Sequence, residues 1–471
     1  MTHYDLIVIG TGSGNSIVDD RFDDLSVAII EQGLFGGTCL NTGCIPTKMF
    51  VYAAEVARTA RDSSRYGVDA HVDGVRWPDI RERVFGRIDP IESDGRSYRS
   101  ERLPNVTVYP EHAEFTGRRE LTTAGGRVLT ADRFVIAAGS RVIVPDIDGL
   151  DAAAVGAPGS RIHSSDTVMR LAELPGSMIV LGGGYIAAEM AHVFSALGTS
   201  MTVVARSAPL LRHQDAAIAE RFTECARESW DVHLNAQVTA VRTGSDGVEV
   251  DYRSADGAVT TLAADTLLLA SGRRPSGDLL RADNAGIDMH ADGRIAVDEF
   301  QRVLSGGTAQ DDVFALGDVC SPYQLKHVAN HEARVVQANL IDPDHLTASD
   351  HRYVPSAVFT HPQIASVGLT EQEAHDDGRS YVVATHDYGA VAYGWALEDT
   401  TGFVKLLADR DSGQLIGAHI LGPEASMIIQ PLIQAMSFGL DAKAMAHGQY
   451  WIHPALPEVI ENALLKLDLP G

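Results

Sequence analysis

A chain of 471 residues with 45% hydrophobic and 21% charged residues has room for about three domains with real cores. Its net charge of −25 argues against nucleic acid and anionic membranes, both of which need a basic face. No apolar run reaches the roughly 18 residues that span a bilayer, and the N-terminus enters a strand with no basic, cleavable leader, so the expected compartment is the cytoplasm.

In chain order, the first element is a strand over residues 6–9, followed by the turn Gly10-Thr11-Gly12-Ser13-Gly14-Asn15, a helix, and a strand over 27–30 ending at Glu31. Glycines in such a turn let the backbone approach a diphosphate, and an acid about 20 residues on reaches ribose hydroxyls. Asn15 stands in the third glycine slot, which predicts looser packing of helix on strand.

Next comes Gly36-Gly37-Thr38-Cys39-Leu40-Asn41-Thr42-Gly43-Cys44-Ile45-Pro46, a loop expected to end at a helix-starting Pro46. The two cysteines can be read as a redox disulfide, as two small buried hydrophobes, or as half of a metal site. Bridging needs Cα atoms about 4.4–6.8 Å apart, which a bend supplies. Metal sites usually space cysteines two to four apart and need further ligands, while Cys225 and Cys320 are lone and remote. A helix N-terminus beside Cys44 would favour its thiolate. The chain has only five lysines, Lys48, Lys326, Lys405, Lys443 and Lys466, so Lys48 beside the pair stands out.

A second dinucleotide pattern follows: a strand over 177–181, the turn Gly182-Gly183-Gly184-Tyr185-Ile186-Ala187, a helix through Glu189 and a strand over 201–205. Two such folds imply two nucleotides. After the last strand stand Arg206 and Arg212 where an NAD enzyme would place an acid; two guanidiniums suit a 2′-phosphate, so NADPH is expected over NADH. The segments Phe134-Val135-Ile136-Ala137-Ala138-Gly139 and Leu267-Leu268-Leu269-Ala270-Ser271-Gly272-Arg273 each read as a buried strand reaching a tight turn, and Val313-Phe314-Ala315-Leu316-Gly317-Asp318 has the same character. His327 and His331 lie four apart, yet no third ligand accompanies them and no metal is expected. From Tyr353 short strands alternate with amphipathic helices. Near the end, His453 has Glu458 five residues later, a spacing at which a carboxylate orients an imidazole for acid–base work.

Taken together, these runs resemble the signatures of the class I pyridine nucleotide–disulfide oxidoreductases, the flavoenzyme family of glutathione reductase and lipoamide dehydrogenase, from residue 5 to residue 461. The resemblance implies an α/β fold of two Rossmann-like dinucleotide-binding domains, for FAD and NAD(P), plus a C-terminal α+β dimerisation domain. The implied division is 1–150 and 276–348 for the two pieces of the FAD domain, 151–275 for the NADPH domain and 349–471 for dimerisation. FAD would be held by Gly10, Gly12, Gly14 and Glu31, by Gly37, Thr38 and Lys48, and by Ala113, Ala138, Gly139, Gly317, Asp318 and Ala329. NADPH would be held by Gly182, Gly184, Tyr185, Ile186, Ala187 and Glu189, with Arg206, Arg212, Gly272 and Arg273.

The resemblance also assigns roles. Cys44 becomes the thiolate against the flavin and Cys39 attacks the substrate disulfide. His453, oriented by Glu458 and supplied by the other subunit of a homodimer, protonates the leaving thiol. Lys48 and Glu189 match an ion pair near the flavin's reactive nitrogen, and Tyr185 matches an aromatic gate over the nicotinamide. As for the substrate, the chain ends in Leu467-Asp468-Leu469-Pro470-Gly471, without the C-terminal redox cysteines of the mercuric and large thioredoxin reductases. Arg206 opposes an NAD-linked lipoamide enzyme. An ungapped count puts Asp20, followed by Arg21, where glutathione reductases hold a glutathione carboxylate with arginine. Mycothione, a low-molecular-weight disulfide with fewer carboxylates, is therefore expected, and segments 10–17, 48–55 and 448–453 resemble the branch that reduces it. Lipoamide and glutathione disulfide remain the alternatives. A flavin-bearing interaction protein without turnover would be free to lose Cys39, Cys44, Lys48, His453 or Glu458, and all five are present.

Overall fold

The structure, a computed structural model, describes residues 1–470. Strand β1 (Thr2–Ile9) is apolar on both faces through Leu6-Ile7-Val8-Ile9, as a strand covered on both sides must be. It lies between β2 (Val27–Ile30), which is followed outward by β3 (Val106–Tyr109), and, beyond the hairpin of β4 (Ala113–Gly117) and β5 (Glu120–Thr123), β6 (Val128–Ile136). Strand Thr308–Ala315 adds in parallel beside β6, so the sheet is completed by a segment from far down the chain. Ile9, Ile30, Ile136 and Ala315 are in register, which opens all four following turns on one carboxyl edge. Ligands of parallel α/β sheets bind at that edge.

The helix expected between β1 and β2 is absent. In its place are two three-residue 3-10 turns, Gly14–Ser16 and Asp20–Phe22. The cause is local: β-branched Ile17 and Val18 are followed by four aspartates within six positions, and Asp19 bonds the Arg21 N–H with its own side chain, competing with a helical ladder. The expected loosening at Asn15 is corrected too. The tight contact falls one residue earlier, at Gly14, where a Cβ would lie 2.7 Å from the Ala137 side chain.

The cysteine segment is helical rather than a loop. Helix α1 (Gly37–Asn41) carries Cys39, and α2 (Cys44–Asp62) begins at Cys44 itself, two residues before Pro46. The face of α2 that holds Phe50, Val51 and Ala54 is buried. Phe50 stacks on Trp77 of α3 (Trp77–Ser97) at 5.1 Å, and Trp77 meets Phe194 of helix Tyr185–Leu197 at 5.4 Å. One core thus joins the first unit to the second.

That second unit has a five-stranded parallel sheet in the order 231–234, 200–205, 177–181, 266–269, 162–164, with a three-stranded antiparallel layer beside it. The chain passes between the units along two short antiparallel partners, β7 (Ser140–Val142) and Arg273–Pro275. The third unit is a five-stranded antiparallel sheet covered by helices, among them Gln430–Phe438 and Glu458–Leu465. Met427, Phe438, Tyr450 and Ile452 of this unit stand exposed, an apolar surface that the chain itself leaves uncovered. Among the described residues no helix is long and apolar enough to cross a membrane.

Candidate active site

Gly36 and Gly37 enter α1 with φ of 89° and 62°, a left-handed conformation that favours glycine. A Cβ on Gly37 would fall 2.7 Å from the Gly12 Cα, so the start of the cysteine helix lies backbone to backbone on the first glycine turn. The Asn41 side chain pins this arrangement by donating to the carbonyls of Phe35 at 2.8 Å and Gly37 at 3.0 Å.

Cys39 and Cys44 are both free thiols here, one half-buried and one exposed, and they are hydrogen-bonded to each other. That shared bond lowers Cys39 to about 7; the charge of Lys326 and the N–H groups of Ile45 and Cys44 act in the same direction against burial. Cys44 is pushed up by the same bond, by burial and by the negative charge of Cys39. In the reduced state the start of α2 acts on both cysteines: the N–H groups of Ile45 and Cys44 favour the Cys39 thiolate, and the Cys44 N–H also favours that of Cys44, where the bond from Cys39 and burial outweigh it. Lys326, to which sequence reasoning gave no role, donates to Ser13 Oγ at 2.9 Å from helix Lys326–Ile341. Its one visible signal was the scarcity of lysine.

Lys48 and Glu189 come together but, among the described residues, form no ion pair. Glu189 accepts the Phe359 N–H at 2.9 Å, while the Lys48 ammonium sits 4.3 Å from the centre of the Phe359 ring. Phe359 thus contacts both, Glu189 through its backbone N–H and Lys48 through its ring. Burial pushes Glu189 up to about 7.

At the carboxyl edge of the first sheet the residues fit a dinucleotide. Gly12 has an unstrained φ, and a Cβ there would meet nothing closer than the Gly37 Cα at 3.9 Å, so the protein alone does not demand glycine. Glu31 Oε2 accepts the Thr11 N–H at 2.9 Å and hydroxyl at 2.7 Å, and Oε1 accepts the Gly33 N–H at 2.8 Å, aiming the carboxylate across the turn with lone pairs to spare. Thr38 follows Gly37 in α1, and Ala113 is buried at the start of β4. Ala138 and Gly139, the latter with φ of 65°, leave β6 towards Ser140. The Ser140 hydroxyl donates to Asp318 at 2.6 Å. Gly317, with φ of 72°, packs against Ala329, and its N–H is held at 2.6 Å by fully buried Glu332, a residue that sequence reasoning missed. Arg273, expected at the NADPH site, donates instead to the Ser140 hydroxyl at 2.9 Å and carbonyl at 2.7 Å, and so stands between the two nucleotide edges.

Gly182, with φ of 142°, lies where a Cβ would meet the Ala270 carbonyl, and Gly184 caps a helix of 13 residues that begins Tyr185-Ile186-Ala187. Tyr185 is exposed and Ala187 buried. Gly272 (φ 115°) closes the neighbouring strand. The Leu211 N–H bonds the Gly183 carbonyl at 2.7 Å, folding the segment with Arg206 and Arg212 back over the turn. Both arginines are exposed, and neither has a carboxylate partner among the described residues.

His453 Nδ1–H donates to Glu458 Oε1 at 2.7 Å, and Oε2 accepts the Ala455 N–H at 3.3 Å. This pair belongs to the third unit, and no hydrogen bond among the described residues ties it to the cysteines of its own chain. His327 bonds the Pro355 carbonyl and His331 accepts the Asp350 N–H, each through Nε2. Asp20, used above to argue against glutathione, is exposed at the start of its 3-10 turn; the helix on which that count rested does not exist.

Comparison with known proteins agrees with this geometry. The family described as "Pyridine nucleotide-disulphide oxidoreductase" matches residues 4–333, and its dimerisation domain matches residues 354–464. Mycothione reductase of Mycobacterium tuberculosis is 56% identical over 99% of this chain and 100% of its own. Dihydrolipoyl dehydrogenase of Halobacterium salinarum is 33% identical over 98% of this chain and 97% of its own. Among solved structures, the HOCl-induced flavoprotein disulfide reductase RclA from Escherichia coli superposes with a TM-score of 0.83 at 27% identity, covering 98% of this chain and all of that one. This chain belongs to the pyridine nucleotide–disulphide oxidoreductases and carries that family's dimerisation domain.

Proposed function

We propose that the protein is an FAD-dependent disulfide reductase that uses NADPH to reduce mycothione, acting as a homodimer. Its division into FAD (1–150 and 276–348), NADPH (151–275) and dimerisation (349–471) domains is part of that reading. The observation that carries the chemistry is the Cys39–Cys44 pair, two mutually bonded thiols at a helix start with one held as thiolate near neutral pH. The substrate rests on the 56% identity, end to end, with a mycothione reductase.

Bound FAD supplies the relay that passes an electron pair from NADPH to the cysteine pair. Gly10, Gly12, Gly14, Glu31 and Asp318 would hold its diphosphate and sugar hydroxyls, and Gly182, Gly184, Arg206 and Arg212 would hold NADPH. The Cys39 thiolate attacks one sulfur of the substrate disulfide and forms a mixed disulfide, and the departing thiolate takes a proton from His453 of the facing protomer. Cys44 then attacks Cys39, releasing the second thiol and restoring the internal disulfide. Two thiols leave for each NADPH consumed. Glu458 keeps the imidazole of His453 turned with Nε2 outward.

The test is NADPH oxidation with mycothione, glutathione disulfide and lipoamide side by side. Turnover on mycothione at least about 100-fold above the other two is expected. Preferred turnover of lipoamide with NADH would overturn both the substrate and the role of Arg206 and Arg212.

A further inference from the structure

Two departures of this chain meet at one place. Asn15 occupies the third glycine slot of the first turn, and the helix that should follow is cut to the 3-10 turn Gly14–Ser16. A turn of three residues has too few aligned peptides to hold its N–H groups on an anion. What holds it instead comes from the end of α3, where the chain widens into a π-turn over Tyr98–Arg102. Arg99, 9% exposed, donates from Nε to Asn15 Oδ1 at 3.0 Å, from Nη2 to the Asn15 carbonyl at 2.6 Å and from Nη1 to the Val18 carbonyl at 2.9 Å. All three acceptors are neutral, and among the described residues no carboxylate is paired with this guanidinium. Its guanidinium lies 5.5 Å from the Tyr98 ring centre and feels the Asp19 carboxylate only at a distance, and a buried cation with no carboxylate in contact is costly and persists where something else repays it. The turn it grips is pressed on Ala137 through Gly14 and abuts Gly37 through Gly12.

We propose that Arg99 is a positioning residue for the FAD diphosphate: it locks the Gly14–Val18 turn in the shape that presents the glycine amides, and it lends the site the positive charge that a full helix would have supplied. The inference rests on the reading of Gly10–Gly14 as the diphosphate cradle. Asn15 then has a purpose, since its side-chain oxygen is the acceptor that a glycine cannot offer.

The experiment measures the rate of FAD release from purified holoenzyme, followed by recovery of flavin fluorescence well below the unfolding temperature, at low and moderate salt. Arg99→Met is expected to release FAD roughly 10- to 100-fold faster than wild type. Arg99→Lys, which keeps the charge and loses the fork, should fall between them, and the salt dependence of release should flatten in Arg99→Met only. A purely structural tie between α3 and the sheet would lower the unfolding midpoint and leave the release rate alone. Wild-type release from Arg99→Met therefore overturns the proposal; should that variant not fold, wild-type release from Arg99→Lys does so. Gly12→Ala separates the two readings, because the protein has room for that methyl group. If Gly12→Ala keeps FAD normally, the cradle reading falls and takes the proposal with it. If Gly12→Ala loses FAD and Arg99→Met does not, the proposal falls alone.

Discussion

Cys39 and Cys44 sit where two helices meet a glycine turn, wired to Ile45 and Cys44 amides and facing the charge of Lys326. His453 stands at the opposite extreme: 70% of its side chain is exposed, and its one side-chain partner is Glu458. The cysteine half is polarised by its own chain, whereas the histidine half is held in orientation only, on a unit whose neighbouring Tyr450 and Ile452 are bare. A general acid left in water has no fixed target. Under the proposed function that target would lie on a second copy, brought up by the dimerisation domain.

The largest effects should come from removing one half. Cys39→Ser leaves no attacking sulfur, and disulfide reduction should fall by about 1,000-fold or more while NADPH still bleaches the flavin anaerobically. His453→Gln should cost roughly 100- to 10,000-fold in kcat, the range for a general acid. Mixing the two inactive proteins breaks or sharpens the comparison directly. If the site is assembled across the dimer, a heterodimer of Cys39→Ser and His453→Gln holds one intact site and recovers roughly half of the wild-type activity per dimer. If each protomer is self-sufficient, co-expressed heterodimers remain dead.

How far the site could be read in advance follows the same division. The His453–Glu458 pair was legible because both partners lie within five residues, and a turn followed by a helix start brings them to 2.7 Å. The four turns at the carboxyl edge were legible because each is local: an apolar run, then glycine in three of them and the acid Glu31 in the fourth. What sequence could not give is whatever arrives from elsewhere in the chain. Arg99 reaches Asn15 across 84 residues, Lys326 reaches Ser13 across 313, and the Phe359 N–H reaches Glu189 across 170. No periodicity encodes such meetings. The first helix was misjudged for a different reason, since the glycine pattern predicts it and the aspartates that prevent it lie beyond the pattern.

A smaller effect should come from the orienting group. Glu458→Gln keeps the shape and replaces the charged acceptor of the 2.7 Å bond with a neutral one, loosening the orientation of the imidazole, so kcat should fall roughly 10- to 100-fold, less than for His453→Gln. An equal loss in the two variants would mean that the exposed histidine has no independent competence.

The mildest change tests the polarised half. Lys326→Met removes a positive charge that favours the thiolates of both cysteines, and Lys326 is not the largest influence on Cys39; the bond from Cys44 is. Cys39 titrates at about 7, below its ordinary value, so its thiolate is present above that pH and is lost as pH falls through it. The same sign governs stability: the contribution is whole above the unfolded thiol's pKa and disappears as pH drops past 7. Without Lys326 the inflection must move up. Alkylation of the reduced enzyme by iodoacetamide, followed from pH 5 to 9 with the site read by peptide mapping, should show a curve displaced to higher pH and a rate at neutrality roughly two- to fivefold lower. The plateau at high pH should be unchanged, because the thiolate there is complete in both proteins. An unmoved inflection would mean that α2 and Cys44 alone set the thiolate, and that Lys326 serves only to hold Ser13 at 2.9 Å.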